Sequence, residues 1–248
     1  YTDGSGRVAM VKAQAEPGTV PGGGTTVFDP RWVGSGKTVL NNKGNPVKQY
    51  EPYFSSTHEW ESEASIVTHG VTDVVTYDAL ARPTRVDNPD GSYRRAEWTP
   101  WARTDFDEID TVLETGNLWY AQRVPTPVSP LTAADNRAAL LADDHAATPT
   151  LTHTDVLGRP FLVQADNGTA SAHVYFDTRT KLDIEGHPLE VKDPLGRTCQ
   201  THAFSIGGQL LKAVNLDSGT RWMFASVAGN PIRRWDQRSQ TFRHQYDD

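Results

Sequence analysis

Tyr77-Asp78-Ala79-Leu80-Ala81-Arg82-Pro83-Thr84-Arg85-Val86 is one copy of an internal repeat, and it returns in the same frame as Thr154-Asp155-Val156-Leu157-Gly158-Arg159-Pro160-Phe161-Leu162-Val163. A looser copy, Tyr1-Thr2-Asp3-Gly4-Ser5-Gly6-Arg7, opens the chain with one extra residue between aromatic and aspartate. Asp193-Pro194-Leu195-Gly196-Arg197 is a copy without the aromatic, and Tyr246-Asp247 starts another. A shorter unit, Gly-x-Pro ahead of a β-rich run, occurs at Gly44-Asn45-Pro46, Gly186-His187-Pro188 and Gly229-Asn230-Pro231. Self-similarity of this kind is the mark of an architecture built by stacking one small unit.

The unit reads as strand, turn, strand. The aromatic–Asp pair ends one strand, Asp accepts hydrogen bonds from turn amides, and Gly supplies a positive φ without strain. Alternating residues then form the next strand, as in Pro188-Leu189-Glu190-Val191-Lys192. The residues expected to set these turns are Tyr77, Asp78 and Arg82, then Asp155, Gly158 and Arg159, then Gly196 and Arg197. Gly186 and Gly229 belong to the shorter unit. Each turn Arg is expected to pair with the Asp of a neighbouring unit, a contact worth about 0–1 kcal/mol on a surface.

Composition agrees. The 248 residues include 20 Gly and 16 Pro, dense punctuation that favours many short strands. Seven Trp, eight Tyr and eight Phe supply apolar surface in a polar chain of mean hydropathy −0.56. A net charge of −7 leaves no electrostatic footprint for nucleic acid. One cysteine, Cys199, excludes an intrachain disulfide and a multi-thiolate zinc site. No apolar run is long enough to span a bilayer and no signal peptide is present, so any export signal is expected upstream. With repeats at both ends, the chain reads as a piece of a longer one.

One stretch breaks the β pattern. Leu131 to Ala147 is rich in Ala and Leu and free of Gly and Pro, with Pro130 before it and Pro149 after it. An exposed helix is expected there, capped by Thr132 with Asp135 and striped by Leu140 and Leu141. The organisation expected is a β segment over 1–130, a helical insertion over 131–147 and a β segment over 148–248, all one continuous repeat region.

These runs resemble RHS (YD) repeats and, more narrowly, the B component of ABC (Tc) insecticidal toxin complexes. The resemblance is carried by Asn41 to Ser55, by Trp98-Thr99-Pro100-Trp101 with Asp110-Thr111-Val112-Leu113, and by His145 to Thr150 leading into Gly158-Arg159-Pro160. Leu182 to Gly186, Gly219 to Met223 and Val227 to Arg233 continue it. Ala81 stands where the repeat has glycine, and Thr154 where it has tyrosine. The resemblance implies a mainly β fold: a curved antiparallel sheet forming part of an RHS-repeat spiral shell. In that family B and C components enclose a cleaved toxic effector, a propeller on B docks to the pore-forming A component, and an aspartyl autoprotease ends the repeat region. The expected partners are the rest of its own shell and a C-type toxin subunit directly, the A component indirectly, and an enclosed effector polypeptide. No nucleic acid and no direct membrane insertion are expected. The implied setting is bacterial and secreted, the segment being shell wall and not an enzyme. The alternative reading is a carbohydrate-binding or cell-surface adhesion RHS module.

Other chemistry fails on inspection, so no catalytic residue, metal ligand or cofactor is assigned. Gly34-Ser35-Gly36-Lys37-Thr38 mimics the tail of a phosphate-binding loop, but the required first glycine is Arg31 and no helix can follow. Lys37 is therefore expected to be a solvated turn residue. Asp105-Phe106-Asp107-Glu108-Ile109-Asp110 lacks the glycine and distal glutamate of a calcium loop. His58-Glu59-Trp60-Glu61-Ser62 lacks the second histidine of a zinc-protease helix. Cys199 with His202 would be a nucleophile pair only if their side chains met. Asn167-Gly168-Thr169 is first of all a turn. Trp98, Trp101, Trp119, Trp222 and Trp235 are expected to pack between strands, with a sugar platform as their other use.

Overall fold

The computed structural model describes residues 1–4, 6–68 and 70–247. The chain forms two compact units, Tyr1–Ala96 with Phe106–Ala146, and Glu97–Asp105 with Ala147–Asp248.

The first unit contains β1 (Val11–Ala15), β2 (Arg31–Ser35), β3 (Thr38–Leu40), β4 (Pro46–Gln49), β5 (Tyr53–Ser55), β6 (Val74–Tyr77), β7 (Pro83–Asp87) and most of β8 (Tyr93–Trp98). Three of these form a small antiparallel sheet in the order β1-β2-β5, and the others run β3-β4-β6-β7-β8. Met10, Tyr50, Tyr53 and Ile66 form a buried cluster with Val39 against it. Gly34 is required there, because a Cβ would lie 2.8 Å from the Tyr53 ring. Tyr93, Thr111, Val112, Ala139 and Ala146 are buried as well, and Thr111 Oγ1 donates to the Tyr93 carbonyl of β8.

Helices α1 (Glu63–Ile66), α2 (Leu118–Ala121) and α3 (Ala133–Asp143) also lie in this unit. The helix expected over 131–147 is α3. Thr132 precedes it, and its N–H and hydroxyl both donate to the Asp135 carboxylate at 2.7 Å. Two expectations are corrected. The helix ends at Asp143, and Leu140 and Leu141 point to solvent while Ala139 is the fully buried position. Small side chains let the backbone approach, and two adjacent leucines cannot share one inward stripe. It is also joined by two four-residue helices with no counterpart in the sequence reading, α2 being capped by Asn117 Oδ1, which accepts from Tyr120 N–H at 2.9 Å.

The second unit is a meander. After β9 (Ala102–Phe106, its last residue in the first unit) come β10 (Thr150–Thr154), β11 (Pro160–Asp166), β12 (Tyr175–Leu182), β13 (Pro188–Lys192), β14 (Thr198–Phe204), β15 (Leu210–Asn215), β16 (Gly219–Ala225), β17 (Pro231–Asp236) and β18 (Thr241–Arg243). Each pairs antiparallel with the next in sequence. Among its described residues no hydrophobic side chain is buried, and Asp166 is the one buried polar residue. It is thus a single layer. One face carries Asp177, Arg179, Lys181, Glu190 and Lys192, while Val163, Thr178, Thr180 and Val191 line the other. The mainly β, antiparallel fold expected from the repeat is what forms. Among the described residues no helix is long and apolar enough to cross a membrane.

Candidate functional site

The repeat resolves into one five-residue turn used again and again. In the copy that starts at Asp155, the Asp155 N–H donates to the Arg159 carbonyl at 3.0 Å and the Gly158 N–H to the Asp155 carbonyl at 2.9 Å. One carboxylate oxygen accepts from the N–H groups of Leu157 (2.9 Å) and Arg159 (3.0 Å), and the other accepts from Arg159 Nε at 2.7 Å. Asp78 with Arg82, Asp193 with Arg197 and Asp3 with Arg7 repeat the 2.7 Å clasp. The expectation that each Arg reaches a neighbouring Asp is therefore corrected: it closes its own turn, since four residues across this loop is the right reach for a guanidinium fork. The N–H of Arg82, opposed by desolvation and joined by its guanidinium, holds the Asp78 carboxyl below the usual carboxylate range. Asp155 and Asp193 are lowered by the same groups of Arg159 and Arg197.

The fourth position takes a positive φ throughout: Gly158 and Gly196 at 75°, Gly186 at 99° and Gly229 at 84°. Ala81 occupies it at 62° and still forms the bonds of the glycine copies. A left-handed non-glycine residue costs roughly 1–2 kcal/mol, part of which glycine's freer unfolded state returns. Ala81→Gly should therefore stabilise the protein by about 0.5–1 kcal/mol in urea unfolding, and Gly158→Ala should destabilise it by about 1 kcal/mol. Equal shifts of the same sign would contradict this account of the turn.

The Gly-x-Pro unit is the same turn with other residues at its ends. Asp183 with His187, Ser205 with Gln209, Ser226 with Asn230, Asn41 with Asn45 and Asp236 with Gln240 all show the same pair of backbone bonds. A Ser, Asn or Asp side-chain oxygen accepts from the fifth N–H in each case. The following residue sits across a register shift, as at Tyr77/Pro83, Thr154/Pro160 and Leu182/Pro188, so a proline that lacks an N–H is tolerated. The Ser205 and Asp236 turns escaped the sequence reading, although Ser or Asp three residues before glycine or serine was the available signal.

The repeat tyrosine has its own task. The Tyr77 hydroxyl donates to the Pro46 carbonyl at 2.7 Å, and the Tyr246 hydroxyl to the Pro231 carbonyl at 2.8 Å. Each pins the residue just past another turn. Turns are linked to turns as well: Arg159 Nη1 donates to the Ile184 carbonyl at 3.0 Å, Gln209 Nε2 to the Ser226 carbonyl at 3.0 Å, and Lys43 Nζ to the Ala79 carbonyl at 3.0 Å. The His187 ring stacks on Phe204, centroids 4.6 Å apart.

The remaining candidates fall into place individually. Lys37 is buried, which corrects the solvated-turn expectation: its ammonium donates to the Glu61 carbonyl at 2.9 Å and lies 3.5 Å from the Trp60 ring centroid. Burial pulls its pKa down. The acidic run is spent on structure. Asp105 pairs with Arg103 at 2.5 Å, Asp107 accepts from Ile109 and Asp110 N–H, Glu108 pairs with Arg94 at 3.0 Å, and Asp110 accepts from Asp107 N–H. Cys199 and His202 lie three apart on β14, hence on opposite faces, and His202 bonds the Pro188 carbonyl at 2.9 Å. His58 forms an exposed pair with Glu59. Asn167 and Gly168 start a loop whose amides bind Asp166. Trp222 and Trp235 stack across β16 and β17 at 6.2 Å, Trp98 and Trp119 lie against Arg103 and Arg123, and Trp101 is exposed. Asp183, Glu185 and His187 bring three donor atoms within 4.8 Å, but Asp183 already serves its turn.

No protein-family profile and no curated protein sequence matches the chain. Solved structures do. The TcdB2–TccC3 complex matches 100% of this chain and 12% of its own at 22% identity, with a TM-score of 0.76. The Photorhabdus luminescens Tc holotoxin pore gives 0.77 and TcdB2–TccC3–Cdc42 gives 0.78, at the same coverage and 22% identity. The chain spans about an eighth of the length of the chains it matches. The resemblance read from the repeats thus meets its counterpart in structure: this chain has the fold of a stretch of the TcdB2–TccC3 toxin complex.

Proposed function

We propose that the chain is a wall segment of a secreted toxin-complex shell that encloses and protects an effector polypeptide before translocation, with any enzymatic activity residing elsewhere. The observation that carries this reading is the single-layered meander of the second unit, which buries no described hydrophobic residue and is tied turn to turn along its length. Such a layer separates two spaces, and its match over the whole chain to TcdB2–TccC3 supports the setting. The partners are then the rest of the shell and a C-type subunit, with the pore-forming component reached through the assembled particle.

The test uses the complete polypeptide that carries this segment, co-expressed with its C-type partner and cargo. The cargo is expected to resist trypsin at concentrations that digest it free, and to appear inside a hollow particle by cryo-electron microscopy. Cleavage at the free rate would refute the reading. The stacked Trp222–Trp235 pair favours one alternative, a glycan-adhesion module. Saturable glycan binding lost in Trp235→Ala would replace the wall reading with that one.

A further inference from the structure

Arginine is used differently in the last strands of the second unit. Up to Arg197, every arginine except Arg137 bonds a carboxylate or a backbone carbonyl. From Arg221 onward the pattern stops. Among the described residues, the side chains of Arg221, Arg233, Arg234, Arg238 and Arg243 make no ion pair and no hydrogen bond. Acidic partners are scarce there: Leu210 to Arg243 holds six Lys and Arg against two Asp, in a chain of net charge −7.

Two of these arginines share a cleft. Register sets Ala213, Arg221 and Asp236 in one row across β15, β16 and β17, and Met223, Arg234 and Phe242 in the next row across β16, β17 and β18. Rows two residues apart lie on one face, and together with His244 they line an open cleft of about 580 Å³. Arg221 and Arg234 are diagonal cross-strand neighbours, roughly 7–8 Å apart at the backbone, so both guanidinium forks can reach one oxyanion. Met223 and Phe242 make the apolar part of the cleft. Asp236 is its one acid: Oδ1 accepts from the N–H groups of Arg238 and Gln240 at 2.9 and 3.0 Å, and no ion pair forms with Arg221 directly across. The frame is tied down from both sides. Trp222 and Trp235 stack on the opposite face, and the segment after β18 is held to β17 by the His244 N–H on the Ile232 carbonyl at 3.0 Å.

Like charges at neighbouring cross-strand positions repel, and here no carboxylate answers them. A guanidinium fork binds phosphate or carboxylate bidentately, and a carboxylate is satisfied by one fork, whereas a phosphate dianion has oxygens for two. We propose that this cleft binds a phosphate monoester carried on an aromatic body, with Arg221 and Arg234 on the phosphate oxygens and Met223 and Phe242 against the ring. The cleft goes beyond the wall reading and does not rest on it: a failed cargo-protection assay would leave it intact.

The test is isothermal titration calorimetry of the full chain with phenyl phosphate, inorganic phosphate and phenol, with circular dichroism as a check on folding. Phenyl phosphate should bind saturably, inorganic phosphate at least about tenfold more weakly for want of the ring, and phenol not at all. Arg221→Gln and Arg234→Gln should each weaken phenyl phosphate by about ten- to a hundredfold, as expected when a charged hydrogen-bond donor is lost. Phe242→Ser should bring it down to the level of inorganic phosphate. Arg233→Gln removes the same charge from the opposite face, where Arg233 lies over the Trp235 ring, and should leave binding within about twofold. A phosphotyrosyl tripeptide bound as tightly as phenyl phosphate would support the cleft with a polypeptide as its source, and its exclusion would support a free ester. Absence of saturable binding, an equal loss in Arg233→Gln, or phenyl phosphate no tighter than inorganic phosphate would overturn the proposal.

Discussion

Glu61→Ala is expected to destabilise the first unit by about 3–5 kcal/mol, the usual result of removing one partner from a buried ion pair. The Lys12 side chain is 3% exposed and its ammonium pairs with the Glu61 carboxylate, with the Thr57 carbonyl as a further acceptor at 3.2 Å. The Tyr53 hydroxyl donates to the same carboxylate at 3.0 Å from within the Met10–Ile66 cluster. Deleting the carboxylate strands a buried ammonium and a buried phenol together. Replacing both ends, Lys12→Met with Glu61→Leu, removes the charge instead of orphaning it and should cost much less. Urea unfolding of the two single variants and the double variant gives the coupling directly. A loss below about 1 kcal/mol in Glu61→Ala would show that solvent already screens the pair.

The same carboxylate sets the direction of the pH response. Burial raises its pKa, but hydrogen bonds from Lys12 and Tyr53 outweigh burial and leave it lowered. Glu63 is lowered by Lys48, and Glu114 by Arg95. A carboxyl lowered on folding adds stability above its unfolded pKa of about 4.3, and that stability is lost as pH falls through the lower folded value. Acid unfolding should therefore set in below about pH 4.3, and Glu61→Ala should flatten the slope there.

How much of this was open to sequence reading depends on how local each cause is. The Asp155 turn was legible because all of its bonds fall within five consecutive residues. The Ser205 and Asp236 turns use the same bonds with less conspicuous residues, so chemistry and not spacing hid them. The start of α3 could be read from Thr132, Asp135 and Pro130, but its end at Asp143 fell short of the limit Pro149 suggested, and the outward turn of Leu140 and Leu141 depends on what packs over Ala139. Lys37 was misread for a similar reason. Its burial depends on Trp60 and Glu61, brought from more than twenty residues away, and no local pattern announces them.

Tyr93 offers the sharpest test of whether the first unit is held by packing or by charge. Its ring is 1% exposed, Arg85 lies 3.6 Å from its centroid, and its hydroxyl donates to Glu114 at 2.7 Å. Its backbone carbonyl accepts from Thr111 Oγ1 at 2.5 Å, tying β8 to the segment that leads into α2. Burial, then the Glu114 bond and charge, push its phenol up to about 12, so it stays a neutral donor at ordinary pH. Tyr93→Ala should cost about 3–5 kcal/mol through the cavity it leaves. Tyr93→Phe keeps the ring and loses one bond to a charged acceptor, for about 1.5–3 kcal/mol. Glu114 retains Arg95 in that variant through Nη2 at 2.6 Å and Nε at 2.9 Å, which argues for the lower end. A packing-held unit therefore shows Tyr93→Ala well below Tyr93→Phe in stability. Equal losses in the two variants would instead place the stabilisation in the hydroxyl, and make the Arg85–Tyr93–Glu114–Arg95 array the main support of β8.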